Sequence, residues 1–174
     1  MNGVTYIDNF LVAHDAIYDH LLANVDWDDR MTVRKTASYG MAYNYSQMSY
    51  PYRPFFLVLE DICRDLVPLI GFAPNNCLIN YYPDGSSRMG FHSDQTDILE
   101  DDTDIAIVSL GTMRTLRFRN IADRSLIHDI DLSPGSLFCM NQQVQHEWQH
   151  AVLASDTKTG RISLTFRRMR PDTG

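Results

Sequence analysis

Apolar and polar positions alternate with two different periods along this chain, and the change of period divides it. Over residues 10–24, Phe10, Leu11, Ile17, Leu21 and Leu22 fall near 3.6 spacing with Asp and His between them, which predicts a helix. A second helix is predicted over 54–67. Pro54 suits its first turn, Phe55, Leu59, Ile62, Cys63 and Leu66 form one stripe, and Pro68 and Gly71 should end it.

From Cys77 onward the texture is of short β-type runs. Cys77 to Tyr82 precedes the turn signal Pro83-Asp84-Gly85. Ile105 to Leu110 is almost wholly apolar, as a strand covered on both faces would be. Met113–Arg119, Leu126–Leu132, Ser136–Met140 and Arg161–Arg168 read as further strands, with Ser133-Pro134-Gly135 between the second and third of these. This spacing predicts a sandwich or barrel rather than a parallel α/β sheet. The expected class is mainly β (α+β), with a helical N-terminal third packed on an all-β remainder. No linker interrupts it, so residues 1–174 are expected to form a single domain.

The last strand carries the first chemical signal. Arg161, Ser163, Thr165 and Arg167 share one face and Ile162, Leu164 and Phe166 the other. The apolar set needs a core. A polar row with Arg at both ends suits either a cavity for a small dianion or an exposed edge. Asn80 and Tyr82 likewise share a face, able to hydrogen-bond carboxylate oxygens or simply to fill a barrel.

His92-x-Asp94 and His150 give the second signal. In extended backbone His92 and Asp94 project the same way, and His150 opens a later β-type segment. Two His and one carboxylate form the facial triad of non-haem Fe(II) oxygenases, although a Zn²⁺ hydrolase can use the same donors.

Composition narrows the classes. With 44% hydrophobic and 21% charged residues the chain is an ordinary folding sequence, and no apolar run approaches a bilayer span. The start lacks a basic stretch before its apolar residues, and three cysteines (Cys63, Cys77, Cys139) do not make a disulfide framework. The expected setting is cytoplasmic, without a membrane partner. A net charge of −7 argues against a broad nucleic-acid surface. The charges are segregated, however. Six Asp and no Lys or Arg precede Arg30, five acids lie within Asp97–Asp104, and basic residues gather at Arg34-Lys35, Arg114–Arg124 and Lys158–Arg170. That is compatible with a polyanion on one face or with a solvated surface.

Taken in order, Asn80-x-Tyr82, His92-x-Asp94, Ser109-Leu110-Gly111, Arg114, Phe118, Gly135-Ser136, Trp148-x-His150 and Arg161-x-Ser163-Leu164-Thr165-Phe166-Arg167 resemble the AlkB-type Fe(II)/2-oxoglutarate dioxygenases over most of residues 31–169. The resemblance implies a double-stranded β-helix (jelly-roll) core over 77–170. Residues 1–76 would then supply N-terminal helices packed on one sheet and a nucleotide-recognition lid near 31–50. It implies His92, Asp94 and His150 as iron ligands, the Trp-x-His pattern favouring His150 over His146. Arg161 would hold the distal carboxylate of 2-oxoglutarate and Arg167, with Asn80 and Tyr82, the other end. Ser163, where relatives often carry Asn, and Thr165 would add hydroxyls.

Arg34, Tyr39, Tyr43 and Tyr45 look like the lid of the nucleic-acid demethylases, with basic residues for phosphates and rings to stack on an extruded base. Thr96 stands where many such relatives place an acid against the damaged base. The implied reaction uses Fe(II), 2-oxoglutarate and O₂ to demethylate N-alkylated bases in DNA or RNA, releasing formaldehyde, succinate and CO₂. Nothing in the sequence suggests an obligate partner, so a monomer is expected. Two other readings stand beside it: the same chemistry on a small molecule or protein side chain, and a non-catalytic β-barrel binding module.

Overall fold

Short runs that carry β-branched and aromatic residues recur after residue 75, and strands form there one after another. The computed structural model describes residues 1–45 and 47–171. Strand β1 (Val4–Ile7) precedes helix α1 (His14–Asn24), and β2 (Lys35–Gly40), β3 (Tyr43–Tyr45) and β4 (Met48–Tyr50) follow. Helix α2 (Leu57–Ile70) leads into β5 (Asn76–Tyr82), β6 (Met89–His92), β7 (Ile105–Gly111), β8 (Arg114–Asn120), β9 (Ile127–Leu132) and β10 (Leu137–Met140). Then come a short helix α3 (Gln142–Glu147), β11 (Trp148–Val152) and β12 (Arg161–Arg167).

The larger sheet runs β1-β10-β7-β12-β5-β2 and the smaller β6-β11-β8-β9, while β3 and β4 form a separate hairpin. Both main sheets are antiparallel, and together they make the expected mainly β, jelly-roll arrangement.

Two cores follow from the period-2 alternation. Behind the larger sheet, Ile162, Leu164 and Phe166 of β12 pack with Ala106, Val108 and Leu110 of β7 against Leu21 of α1 and Leu59, Ile62 and Leu66 of α2. Between the sheets, Ile105 and Ile107 meet Leu116, Phe118, Leu132 and Phe138. β7 therefore feeds both cores, which is why its sequence is nearly all apolar.

The N-terminal third is not helical alone. β1 pairs with β10 and β2 with β5, so both edges of the larger sheet come from it. Neither signals itself: β1 has four residues, and β2 (Lys-Thr-Ala-Ser-Tyr-Gly) has no large apolar residue alternating with polar ones. The first helix starts at His14, because Leu11 is tied to the Gly135 carbonyl at 2.9 Å. The second runs 57–70 and includes Pro68. In the last turn the missing proline N–H removes one bond near the end instead of breaking the helix, and Gly71 stops it with φ +80°.

Candidate metal centre and co-substrate cleft

The smaller sheet supplies two imidazoles by direct pairing. His92, last residue of β6, lies opposite His150 of β11, with ring centroids 4.4 Å apart. Asp94 is not on the strand. The strand ends at His92, and the carboxylate reaches back from the following loop. Its Oδ1 stands 3.4 Å from His92 Nε2 and 3.8 Å from His150 Nε2, and one ligand atom from each residue lies within 4.8 Å of the others.

Hydrogen bonding sets the state of each donor. His92 Nδ1 lies 2.8 Å from the Gly90 carbonyl, which only accepts, so Nδ1 carries a proton and Nε2 is the nitrogen turned to Asp94 and to a metal. Arg167 Nη2 donates to Asp94 Oδ2 at 3.0 Å, which turns Oδ1 toward the imidazoles. Burial alone would raise the Asp94 carboxyl. The Arg167 guanidinium and both imidazoles outweigh it and hold the carboxyl well below the usual range. Burial pushes His150 down to about 4, so its contact with Asp94 is between a neutral ring and a carboxylate. For His92 burial lowers the pKa, but the hydrogen bond and charge of Asp94 outweigh it and leave it raised. Two imidazole nitrogens and a fixed carboxylate oxygen are a donor set that fits a divalent transition metal.

Beside the triad, the polar face of β12 closes a cleft of about 430 Å³. Arg161, Ser163, Thr165 and Arg167 line it with Asn80 and Tyr82 of β5, because β12 and β5 pair Arg161 with Tyr82 and Ser163 with Asn80. Leu116, Leu132 and Val152 of the smaller sheet form the opposite wall.

Arg161 is 2% exposed, donates to Ser109 Oγ at 3.0 Å and lies 5.4 Å from the Tyr82 ring centroid. Its buried Nε has no hydrogen-bond partner, and no carboxylate among the described residues pairs with it. Burial lowers its pKa, with Arg114 adding like-charge pressure. Arg114 commits its own donors to the Asp84, Ser87 and Leu153 carbonyls. A desolvated guanidinium at the blind end of a cleft, opposite a metal triad, fits a dicarboxylate reaching from one to the other.

The lid residues separate. Arg34 is not placed to touch a phosphate: it is buried, and donates through Nε to Asn80 Oδ1 at 3.0 Å and through Nη1 to the Arg88 carbonyl at 3.1 Å. Since the guanidinium only donates, Asn80 must turn its oxygen to Arg34, which leaves its NH₂ for the cleft. Tyr39 is also displaced from the expected position. It belongs to the odd-numbered face of β2, stacks edge-on against Phe56 with centroids 4.9 Å apart, and carries Arg53 over its ring. Tyr43 does reach the site, being buried in the inter-sheet core with the Arg167 guanidinium 5.2 Å from its ring centroid. The side chain of Tyr45 and the whole of Ser46 lie outside the described residues. Thr96 is half-buried on the loop after Asp94, and its carbonyl accepts from Leu99 N–H. His146 is exposed on α3 and takes no part in the triad.

Two residues of this site carried no assignment from sequence. Ser109 sits in a motif of the resemblance but gained its role only when β7 and β12 paired. Gln145 accepts from the Asp94 N–H at 2.8 Å, and nothing in its sequence surroundings announces it.

A double-stranded β-helix holding a His-Asp-His triad beside buried arginines defines an oxygenase of the iron and 2-oxoglutarate class. Residues 4–167 match the model of the 2OG-Fe(II) oxygenase superfamily, and the chain belongs to that family. Within it, the chain is similar to members of the AlkB type. It is 34% identical over 152 residues to the DNA oxidative demethylase ALKBH2 of Bos taurus, covering 80% of this chain and 54% of that one. It is 30% identical over 178 residues to the alpha-ketoglutarate-dependent dioxygenase alkB homolog 3 of Rattus norvegicus, covering 91% and 60%. The chain thus spans little more than half the length of these relatives. The solved structure of OsALKBH1 superimposes with a TM-score of 0.69 over 97% of this chain and 99% of that one; at 17% identity this shows the shared fold.

Proposed function

We propose that this chain oxidatively demethylates N-alkylated bases in DNA or RNA. The observation that carries the reading is the cleft that the metal triad and the guanidinium of Arg161 line together, with the ring of Tyr43 beside its Arg167. The relatives named as demethylases support the substrate class. Free thiols at Cys63, Cys77 and Cys139 support a reducing, cytoplasmic setting, and the proposal takes the active species to be a monomer. No helix among the described residues is long and apolar enough to cross a membrane.

His92, Asp94 and His150 would hold Fe(II), and Arg161 would anchor the far carboxylate of 2-oxoglutarate. Held there, Fe(II) with 2-oxoglutarate and O₂ would supply the oxidising power to hydroxylate an N-methyl carbon, giving formaldehyde from the substrate and succinate and CO₂ from the co-substrate. The protein's part is positional. Arg167 keeps Asp94 ionised and turned. Arg34 fixes the Asn80 amide so that its N–H groups face an incoming carboxylate, and Ser163 and Thr165 offer hydroxyls along the same face. Leu116, Leu132 and Val152 keep water from the cleft, which strengthens every charged contact inside it. Tyr43 supplies a ring at the substrate side.

The test incubates the protein with Fe(II), ascorbate and 2-oxoglutarate and a panel of methylated DNA and RNA oligonucleotides. Base loss of methyl by mass spectrometry, with equimolar formaldehyde and succinate, is the expected outcome. Succinate formation that no oligonucleotide stimulates would overturn it. A second reading, the same oxidation of a small molecule or protein side chain, is favoured by one observation: burial of Arg34 removes a cation from the presumed phosphate face.

A further inference from the structure

Because β6 stops at His92, no sheet ladder holds Asp94, and something else must fix its loop. We propose that Gln145, on α3, is the positioning residue that sets the Asp94 main chain and hence the place of its carboxylate when the metal binds.

Gln145 is 4% exposed, a setting in which an amide without a partner is costly. Its two ends are accounted for. The Asp94 N–H can only donate, so Oε1 faces it at 2.8 Å, and Nε2 reaches Met140 Sδ at 3.0 Å. A second stitch lies beside it: Ser93 Oγ donates to the Trp148 carbonyl at 3.0 Å, two residues before His150. The Asp94 loop is therefore tied to the segment that carries the other late ligand.

One turn earlier on the same helix, Gln142 Nε2 donates to the Glu100 and Thr103 carbonyls at 2.7 and 3.1 Å. Helix α3 thus braces the loop at both ends, and only the Gln145 end reaches a ligand. The Asn141 side chain caps the helix by accepting from Val144 N–H at 3.2 Å, which makes six residues a firm enough base. This inference concerns the triad and holds whatever the substrate is.

The test titrates the metal-free protein with Mn(II) and counts free Mn(II) by electron paramagnetic resonance. Gln145→Met removes the acceptor at similar volume and is expected to weaken Mn(II) binding on the order of tenfold, the usual effect of losing an outer-sphere partner. Gln142→Met removes comparable bonds from the same helix without touching Asp94. It is expected to keep wild-type affinity while lowering the melting temperature. Ser93→Ala, at an exposed position, should weaken binding in the same direction but less. Wild-type affinity in Gln145→Met, or equal weakening in Gln142→Met, would overturn the proposal. Should Gln145→Met fail to fold, Ser93→Ala decides, unchanged affinity counting against the proposal and weakened affinity for it.

Discussion

Arg161 is held where an isolated charge is least welcome, and two consequences follow. In the proposed role, its charge-assisted bonds to 2-oxoglutarate would supply about 1.5–3 kcal/mol each. Arg161→Met should therefore raise the co-substrate KM by roughly tenfold to a hundredfold, measured by succinate formation. Without co-substrate the same charge is a burden, since its Nε has no partner. The metal-free Arg161→Met variant should melt a few degrees higher than wild type, a gain of about 1 kcal/mol of the kind that binding sites commonly forgo. The histidines give a pH signature. The folded pKa of His92 is raised and that of His150 is lowered to about 4. Metal must displace the His92 proton but meets His150 already neutral. Between about pH 5 and 6, affinity for Mn(II) should rise tenfold per unit, one proton released per ion rather than two. In the metal-free protein His150 makes the folded state bind fewer protons than the unfolded one. Its contribution is present above pH 6.5 and lost as pH falls toward 4, about 3 kcal/mol in all. His92 acts in the opposite sense, its contribution being present below 6.5 and lost as pH rises through its raised value.

Elements of this fold differ in how far sequence announces them. β12 announced both its faces, since Ile162, Leu164 and Phe166 fill one core while Arg161 to Arg167 line the cleft. Strict alternation with charges on one side has few other solutions. The iron motif was equally legible as residue types, but not its geometry, because the pairing of β6 with β11 is what brings His92 to His150. β2 and α3 were silent. β2, which has no large aliphatic residue, forms because β5 presents a free edge, and α3 is too short to show a period. That silence is also why Arg34 and Tyr39 were expected at the lid surface: once Lys35–Gly40 is a strand of the larger sheet, Arg34 turns inward to Asn80 and Tyr39 outward to α2. Two glycines allow a test at this scale. Both Gly71, after α2, and Gly40, at the end of β2, have φ near +80°. A Cβ on Gly71 would meet nothing within 4 Å, whereas on Gly40 it would stand 2.1 Å from the Asn75 carbonyl oxygen. Gly71→Ala should cost only the left-handed conformation, about 1 kcal/mol. Gly40→Ala must in addition move β2 from β5, and denaturant titration should show a clearly larger loss together with weakened co-substrate binding through the Arg34–Asn80 pair.

At the scale of the whole molecule, a net charge of −7 must be reconciled with the polyanionic substrate proposed above. The acidic run after the triad is partly neutralised by the C-terminal basic segment. Arg168 pairs with Glu100 at 3.2 Å and Arg170 with Asp101 at 2.5 Å, while Leu99 and Met169 bridge their backbones. Asp97 has no such partner among the described residues, is exposed, and lies three residues beyond the ligand Asp94. A lone carboxylate there repels an approaching phosphate chain, and the repulsion acts over the Debye length, about 10 Å at 0.1 M salt. Asp97→Asn should therefore speed association with a methylated oligonucleotide at low ionic strength, raising kcat/KM about twofold to threefold, and the gain should vanish near 0.3 M salt. On a methylated nucleoside, which carries no phosphate, the substitution should change nothing at any salt concentration. A gain on both substrates would mean that Asp97 acts on the cleft itself. No gain on either would mean that the substrate does not enter past this loop, and the demethylase reading would lose its electrostatic footing.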